Sequence, residues 1–525
     1  MPNSHTLYTV AEIHKIEQAA FAILPSYTLM QRAGTAAAEY ARQLLAALDR
    51  SAAILVLVGP GNNGGDALEA ASQLAHSGRD VSIHFSCDPA NLPEDAQQAL
   101  SRAHISPTHF IDSSILTKNN WALVIDGLFG IGLTRAITGE ISNLIEHINA
   151  LHCPVLALDV PSGLDADTGV IVGSNLAVTD NHKAIAIRAT HTITFIGNKA
   201  GLHTCEGRDY AGEVQVSDLN LNADLFPGSS SHLNHIALFT NALKVRLHNS
   251  HKGSYGDVCV LGGAKGMVGA AILAARTSAK SGAGRVFVAS IAETLGYDNA
   301  QPELMCRQAA DIDFNKATIV AGPGLGTSRD AHDFLIKALA AHTPLVLDAD
   351  ALNLIAVETG LQQKLIARKT HTLLTPHPLE AARLLGITTA QVQSDRLATA
   401  RAIAKKFNAT TILKGSGTVI AAPDGTTVIN TTGNPALATA GAGDVLSGLC
   451  GALLAQNWPD WEAALAAVWL HGKAADNLVA HEIGPIGLTA SELIPEIRAV
   501  LNQMVSKHGR CNTTTRPIPA DPQQS

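Results

Sequence analysis

Two stretches of this chain carry the residue types and spacings that do chemistry. In VGPGNNGGDALEA (58–70), glycines 59, 61, 64 and 65 stand between an apolar run and a helical pattern. Glycines there let backbone N–H groups approach an anion closely. A ligand-free tight turn would use the same glycines. Two amides and a carboxylate on one turn, Asn62, Asn63 and Asp66, favour a polar ligand. Asp126 in DGLFGIGLTR, and Asp159 and Ser162 in DVPSGLD, each follow an apolar run. Ligands bind beyond the carboxyl ends of strands in open parallel sheets, so these groups converge on one edge. In the second half, NPALATAGAGDVLSG (434–448) sets Asp444 at the start of a helix. Helix N–H groups form an anion hole there, with a carboxylate within reach as a base. The alternative is a helix cap with a glycine-rich entry.

The elements that must position these groups follow from periodicity. Thr9 with Glu12 is a capping-box pattern before an amphipathic helix. Strands are expected at 53–59, 80–85, 122–129, 154–160 and 191–197, mostly separated by helix-like segments, one of them running from the glycine-rich loop to about 77. The polar stretch PGSSSHLNH (227–235) marks a boundary. The pattern restarts with strands at 257–263, 285–290, 318–324, 344–350, 372–377 and 411–415. Helices at 443–455, 460–481 and 489–505 close it. The expectation is an α/β protein with mainly parallel sheets, divided as 1–230 and 238–505, with 506–525 a polar, disordered tail.

The first half resembles the NAD(P)H-hydrate epimerase domain over about 8–225, through GNNGGD, DGLFGIG, DVPSGLDADTG, TFIGNKAGL and GRDYAGEV. The resemblance implies a Rossmann-like three-layer sandwich. It also implies substrate contacts from Asn62, Asn63, Gly64, Gly65 and Asp66, from Gly130, Ile131, Gly132, Leu133, Thr134, Arg135 and Ala136, and from Asp159. A K+ ion would be held by Asn63, Asp126 and Ser162, an oxygen donor set that suits a hard cation. Asp159 would act as general acid and base. Two places depart from the family pattern: Ala67 where glycine is usual, and NHKAIAIRATH at 181–191.

The second half resembles the ribokinase-like ADP-dependent NAD(P)H-hydrate dehydratases over about 245–503. The carriers are HKGSYG, GGAKGMVGAA, AGPGLG, LDADAL, LTPHPLE, LKGSGTVI and NPALATAGAGDVLSG. The resemblance implies nucleotide contacts from Lys414, Gly415, Ser416, Gly417, Thr418 and Gly443, and substrate contacts from Ala270, Gly326, His377 and Asp444. A histidine packed at a strand end is the plainer reading of His377. Phosphoryl transfer from ADP to the substrate hydroxyl, with Asp444 as base and Mg2+ as phosphate counter-ion, would precede loss of phosphate. Leu379 stands where the family has glycine, and AGAGD replaces GGTGD.

The implied activity is repair of hydrated NADH and NADPH: epimerisation of the R and S forms, then dehydration of the S form with release of AMP and phosphate. Two rivals remain open on the residues. One is a ribokinase-like small-molecule kinase with an N-terminal nucleotide-binding regulatory module. The other keeps the dehydratase but makes the first half a sensing or docking module.

Composition narrows the class. The chain has 525 residues, long enough for two or more cores, with 46% hydrophobic, 16% charged and only 4% aromatic residues. Small aliphatic residues must therefore fill the cores. A net charge of −8 argues against nucleic acid or an acidic membrane as partner. No apolar run reaches the roughly 18 residues of a membrane span, and the first residues lack an export pattern. Seven scattered cysteines without a Cys-x-x-Cys pair suit a reducing compartment. The expected setting is the cytoplasm, and the expected assembly a homo-oligomer.

Overall fold

The computed structural model describes residues 4–49, 51–116, 120–174, 184–292 and 296–513. The chain forms two compact units: one reaches Leu233 and takes in Gln393–Arg396, and the other holds the remainder from Asn234. The linear division, by contrast, assigns all of 238–505 to one domain.

The opening helix of the first unit, Val10–Phe21, carries the capping box at Thr9 and Glu12. Seven strands follow: β1 (Ile54–Val58), β2 (Val81–Phe85), β3 (His109–Phe110), β4 (Leu123–Gly127), β5 (Val155–Leu158), β6 (His191–Phe195) and β7 (Glu213–Ser217). They lie in the order β3-β2-β1-β4-β5-β6-β7, and every pairing is parallel. This is the doubly wound order, whose direction reverses between β1 and β4. Alternation along β1 makes the three layers visible. Ile54, Val56 and Val58 join one core, with the helices Thr28–Leu44 and Asn62–His76, while Leu55 and Leu57 join another on the opposite face. A last short strand, β8 (Ser231–Leu233), ends this part of the chain.

In the second unit the strands are β9 (Asp257–Gly262), β10 (Arg285–Ser290), β11 (Met305–Gln308), β12 (Thr318–Ala321), β13 (Leu345–Leu347), β14 (Thr372–Leu374), β15 (Thr410–Leu413), β16 (Val419–Ala421) and β17 (Thr427–Ile429). Their order is β11-β10-β9-β12-β13-β14-β15-β16-β17. Pairing is parallel as far as β15, after which β16 and β17 add antiparallel. The helices Ala442–Ala455 and Asp460–Ala480 supply much of the core, largely through Ala, Leu and Val.

One expectation changes. The last helix is Ala490–Thr513, so residues 506–513 are helical rather than part of a tail. Leu501, Met504 and Val505 keep an apolar stripe on the core, and no proline interrupts the chain again before Pro517. Residues 514–525, and 181–183 of the less well matched stretch at 181–191, lie outside the described residues.

Candidate functional sites

In the first unit the glycine-rich segment is already helix: Gly61 caps Asn62–His76, so Asn62 to Asp66 form its first turn. This turn follows β1, and Asp126 near the end of β4 pairs in register with Leu57. The site therefore sits at the switch point of the sheet. A cleft of about 600 Å3 opens there, lined by Asn62, Asn63 and Asp66, by residues 130–135, and by Asp159. Gly64, Gly65 and Ala136 do not line it. A Cβ on Gly64 would run into the carbonyl of Gly59, and one on Gly65 into Met30. These glycines let the helix close onto its neighbours rather than reach a ligand. Ala67 is fully buried against Gly127, on the sheet side of the helix.

Asp126 is fully buried. Its Oδ1 accepts from Ser162 Oγ at 2.6 Å and Leu128 N at 3.2 Å, and its Oδ2 accepts from Ser162 N at 2.9 Å. Burial pushes its carboxyl up to about 6 despite those bonds. Asn63 is 8% exposed, and neither Oδ1 nor Nδ2 has a hydrogen-bond partner. A buried amide without partners is costly unless something fills the gap. A buried carboxylate, a hydroxyl and an orphaned amide oxygen fit a hard monovalent cation.

Asp159 follows β5 with φ of +65°, a left-handed conformation uncommon for a side-chain-bearing residue. Lys199, wholly buried, donates from Nζ to Asp159 Oδ1 at 2.7 Å, and also to Thr194 Oγ1, Phe195 O and Gly197 O. The other carboxylate oxygen, Oδ2, faces Gly130. Asp66 is raised well above the carboxylate range, first by burial and then by the charges of Asp159, Glu17 and Glu69. Lys199 was missed as a site residue; its signal is its place just after the β6 strand, in TFIGNKAGL.

In the second unit, Gly441 caps Ala442–Ala455 at φ +89°; Ala442 N donates to Thr439 O at 3.4 Å, and no side chain caps the N–H groups that follow it. Asp444 lies in that first turn. Burial raises its carboxyl to about 6, the charge of Asp348 adds to this, Lys414 opposes it, and Asp350 raises it further. Lys414, directly after β15, donates to Asp348 Oδ1 at 2.7 Å, and a Cβ on Gly443 would stand 3.3 Å from its Nζ. Burial opposes the charge on Lys414, but Asp348, Glu380 and Asp444 together raise its pKa. Gly326 N donates to Asp350 Oδ2 at 2.8 Å, tying that loop to the same cluster. Gly415, Ser416, Gly417 and Thr418 form the turn between β15 and β16. Ala270 lies in the first turn of Val268–Lys280.

His377 has a structural task as well. Its Nδ1 accepts from Leu379 N and Glu380 N, capping Pro378–Leu385, while Glu380 returns a bond to His377 N at 2.8 Å. Burial works against the charge of Glu380, yet His377 and Lys414 hold its carboxyl below the usual range. Asp348 and Glu380 escaped the sequence reading, although they stand in the motifs LDADAL and LTPHPLE. Leu379 is 45% exposed.

Family models match residues 258–498, described as NAD(P)H-hydrate dehydratase, and 26–201, described as YjeF-related protein N-terminus. The bifunctional NAD(P)H-hydrate repair enzyme Nnr of Coxiella burnetii is 37% identical, across 94% of this chain and 99% of its own. The chain belongs to the bifunctional NAD(P)H-hydrate repair enzymes. The ADP-dependent (S)-NAD(P)H-hydrate dehydratase of Neisseria meningitidis is 45% identical over 51% of the chain and is itself 92% covered. The crystal structure of an ADP/ATP-dependent NAD(P)H-hydrate dehydratase from Bacillus subtilis, grown with ATP and Mg2+, is 32% identical over 51% of this chain and 96% of its own, with a TM-score of 0.45. Among the described residues no helix is long and apolar enough to cross a membrane.

Proposed function

We propose that the cleft beside Asp159 interconverts the R and S hydrates of NADH and NADPH, and that the cluster around Asp444 dehydrates the S form with ADP. One observation carries the reading: each unit presents an acid beside the first turn of a helix, Asp159 in the cleft that Asn62 and Asn63 line and Asp444 within the first turn of Ala442–Ala455.

In the first site, loss of the hydroxyl beside the dihydropyridine nitrogen leaves an iminium-like carbon, and water returning from the other face inverts the centre. Asp159 moves the proton, with Oδ1 anchored by Lys199 and Oδ2 turned toward the cleft. Burial and neighbouring charge push the Asp66 carboxyl well above the usual carboxylate range, which favours it as a hydrogen-bond donor beside Asp159. Asn63, Asp126 and Ser162 would hold K+, which supplies positive charge near the substrate's phosphates or hydroxyl.

In the second site, Lys414 to Thr418 and Gly443 hold the nucleotide, with Mg2+ on its phosphates. Ala270, Gly326 and His377 orient the hydrate. Asp444 accepts the hydroxyl proton as the terminal phosphoryl moves onto that oxygen, and the N–H groups at the start of Ala442–Ala455 stabilise the transferred charge. Loss of phosphate restores the dihydropyridine and leaves AMP. The six cysteines whose side chains are described, spread over both units, are free, which supports a reducing, cytoplasmic setting.

The test is absorbance recovery at the reduced-nicotinamide band from mixed-epimer NADH hydrate with ADP and Mg2+. Complete recovery is expected. Recovery that stops at the share of one epimer would refute the first assignment, and none with ADP or ATP would refute the second.

A further inference from the structure

The second unit has another cavity, of about 620 Å3, that the repair chemistry does not use. It is lined by the C-terminal ends of two helices, including Lys280 and Ser281 after Val268–Lys280, and Leu453 and Gln456 at the end of Ala442–Ala455. Asp444 lies in the first turn of the latter helix, so roughly 14 Å of helix separates it from Leu453.

Four cationic side chains line the cavity, Lys244, Arg246, Lys280 and Arg498, and no Asp or Glu does, in a chain whose net charge is −8. Helix C-termini attract cations, and one of the four answers that need. Arg246 donates to Gly282 O at 2.5 Å and Gln456 Oε1 at 3.3 Å, and lies 3.7 Å from the centre of the Tyr255 ring. Lys244, Lys280 and Arg498 make no ion pair among the described residues. A second observation points to a ligand. Ser281 is 1% exposed and lines the cavity, yet its Oγ has no hydrogen-bond partner. A buried hydroxyl left bare in this way is uncommon.

The rest of the lining limits what the anion is. Tyr255 and Trp458 offer aromatic surface, and Asn457 and Asn502 add amides. The volume lies in the range of small-molecule sites and is far larger than an inorganic ion needs. Cations together with aromatic and amide groups in one cavity match a charged phosphate joined to a flat, hydrogen-bonding base. We propose that this cavity is a second site for a nucleoside phosphate, distinct from the ADP site at Lys414–Thr418.

ADP with Mg2+ is the probe, in equilibrium dialysis against the full chain without hydrate. The expected result is about two ADP per chain, one for each site, the first of them resting on the dehydratase reading. Lys280→Glu with Arg498→Glu, both exposed positions, should reduce this to one and leave saturated dehydration intact, which also shows that the variant folds. Lys414→Ala should lose the other ADP. A wild-type chain that binds one ADP and keeps it in the double variant would overturn the second site and spare the dehydratase reading. Two ADP retained by the double variant would overturn it as well. One ADP that the double variant loses and Lys414→Ala keeps would sustain this site and refute the nucleotide site at Lys414. No binding at all would refute both.

Discussion

Lys199 Nζ stands 2.7 Å from Asp159 Oδ1, and no part of the lysine side chain reaches solvent. The ammonium meets three further oxygens, so its whole donor capacity is spent inside the protein. Removing one partner of a buried ion pair leaves the other charge uncompensated and costs about 3–5 kcal/mol. Lys199→Met is therefore expected to lower the melting temperature of the first unit by several degrees and to abolish epimerisation. Asp159→Asn keeps a residue that tolerates the left-handed conformation of this position, but it leaves the buried Lys199 charge without its partner, so it too should melt lower and lack epimerisation. In both, the S hydrate alone should still be dehydrated. Epimerisation at the wild-type rate in Asp159→Asn would remove the aspartate from the mechanism.

Asp126 titrates near 6 in the fold against 3.8 for an ordinary aspartate. A raised carboxyl disfavours its charged form, so without a counter-ion the first unit loses stability as pH rises from about 4 through 6. A bound cation reverses this, because it requires the carboxylate. K+ should thus raise the melting temperature clearly at pH 8 and hardly at pH 5, and Asp126→Asn should remove the difference. An equal effect of K+ at both pH values would count against Asn63, Asp126 and Ser162 as its ligands.

The sequence reveals what depends on neighbours along the chain. The capping box at Thr9 and Glu12, the apolar run of β1 and the helix opened by Gly441 are local signals, and each is found where its pattern stands. The hairpin of β16 and β17 was also local, since Pro423, Asp424 and Gly425 spell a turn, but its strands are too short to show a period. Lys199 was harder to read. A lone lysine looks solvated until β6 and the turn after it surround it with oxygens. His377 likewise reads as a substrate ligand from its motif, while Pro378 and Glu380 beside it already mark a helix start.

Asp444 must be ionised to accept a proton, so dehydration at saturating ADP should fall about tenfold per pH unit below about 6. Burial sets most of that value and the charge of Asp348 adds to it. Asp348→Asn deletes the added repulsion and leaves the charge of Lys414 to Asp444 and Glu380. The acid limb of the pH–rate profile should then move to lower pH, with weaker ADP binding because Lys414 loses its 2.7 Å partner. A limb that stays in place or moves upward would mean that another group controls the rate.

The two departures from the family glycines should separate by burial. Ala67 is interior to Asn62–His76 and packs on Gly127, facing away from the cleft. Ala67→Gly brings the family residue back but loses helix propensity worth about 1 kcal/mol. The first unit should melt a few degrees lower, with epimerisation unchanged. Leu379 is 45% exposed in the first turn of Pro378–Leu385, where its main chain rather than its side chain meets His377. Leu379→Gly should shift stability by no more than about 0.5 kcal/mol and leave the KM for ADP as it is. Faster epimerisation in Ala67→Gly would show that the methyl group does reach the substrate, and that the helix face assigned to the sheet also shapes the cleft.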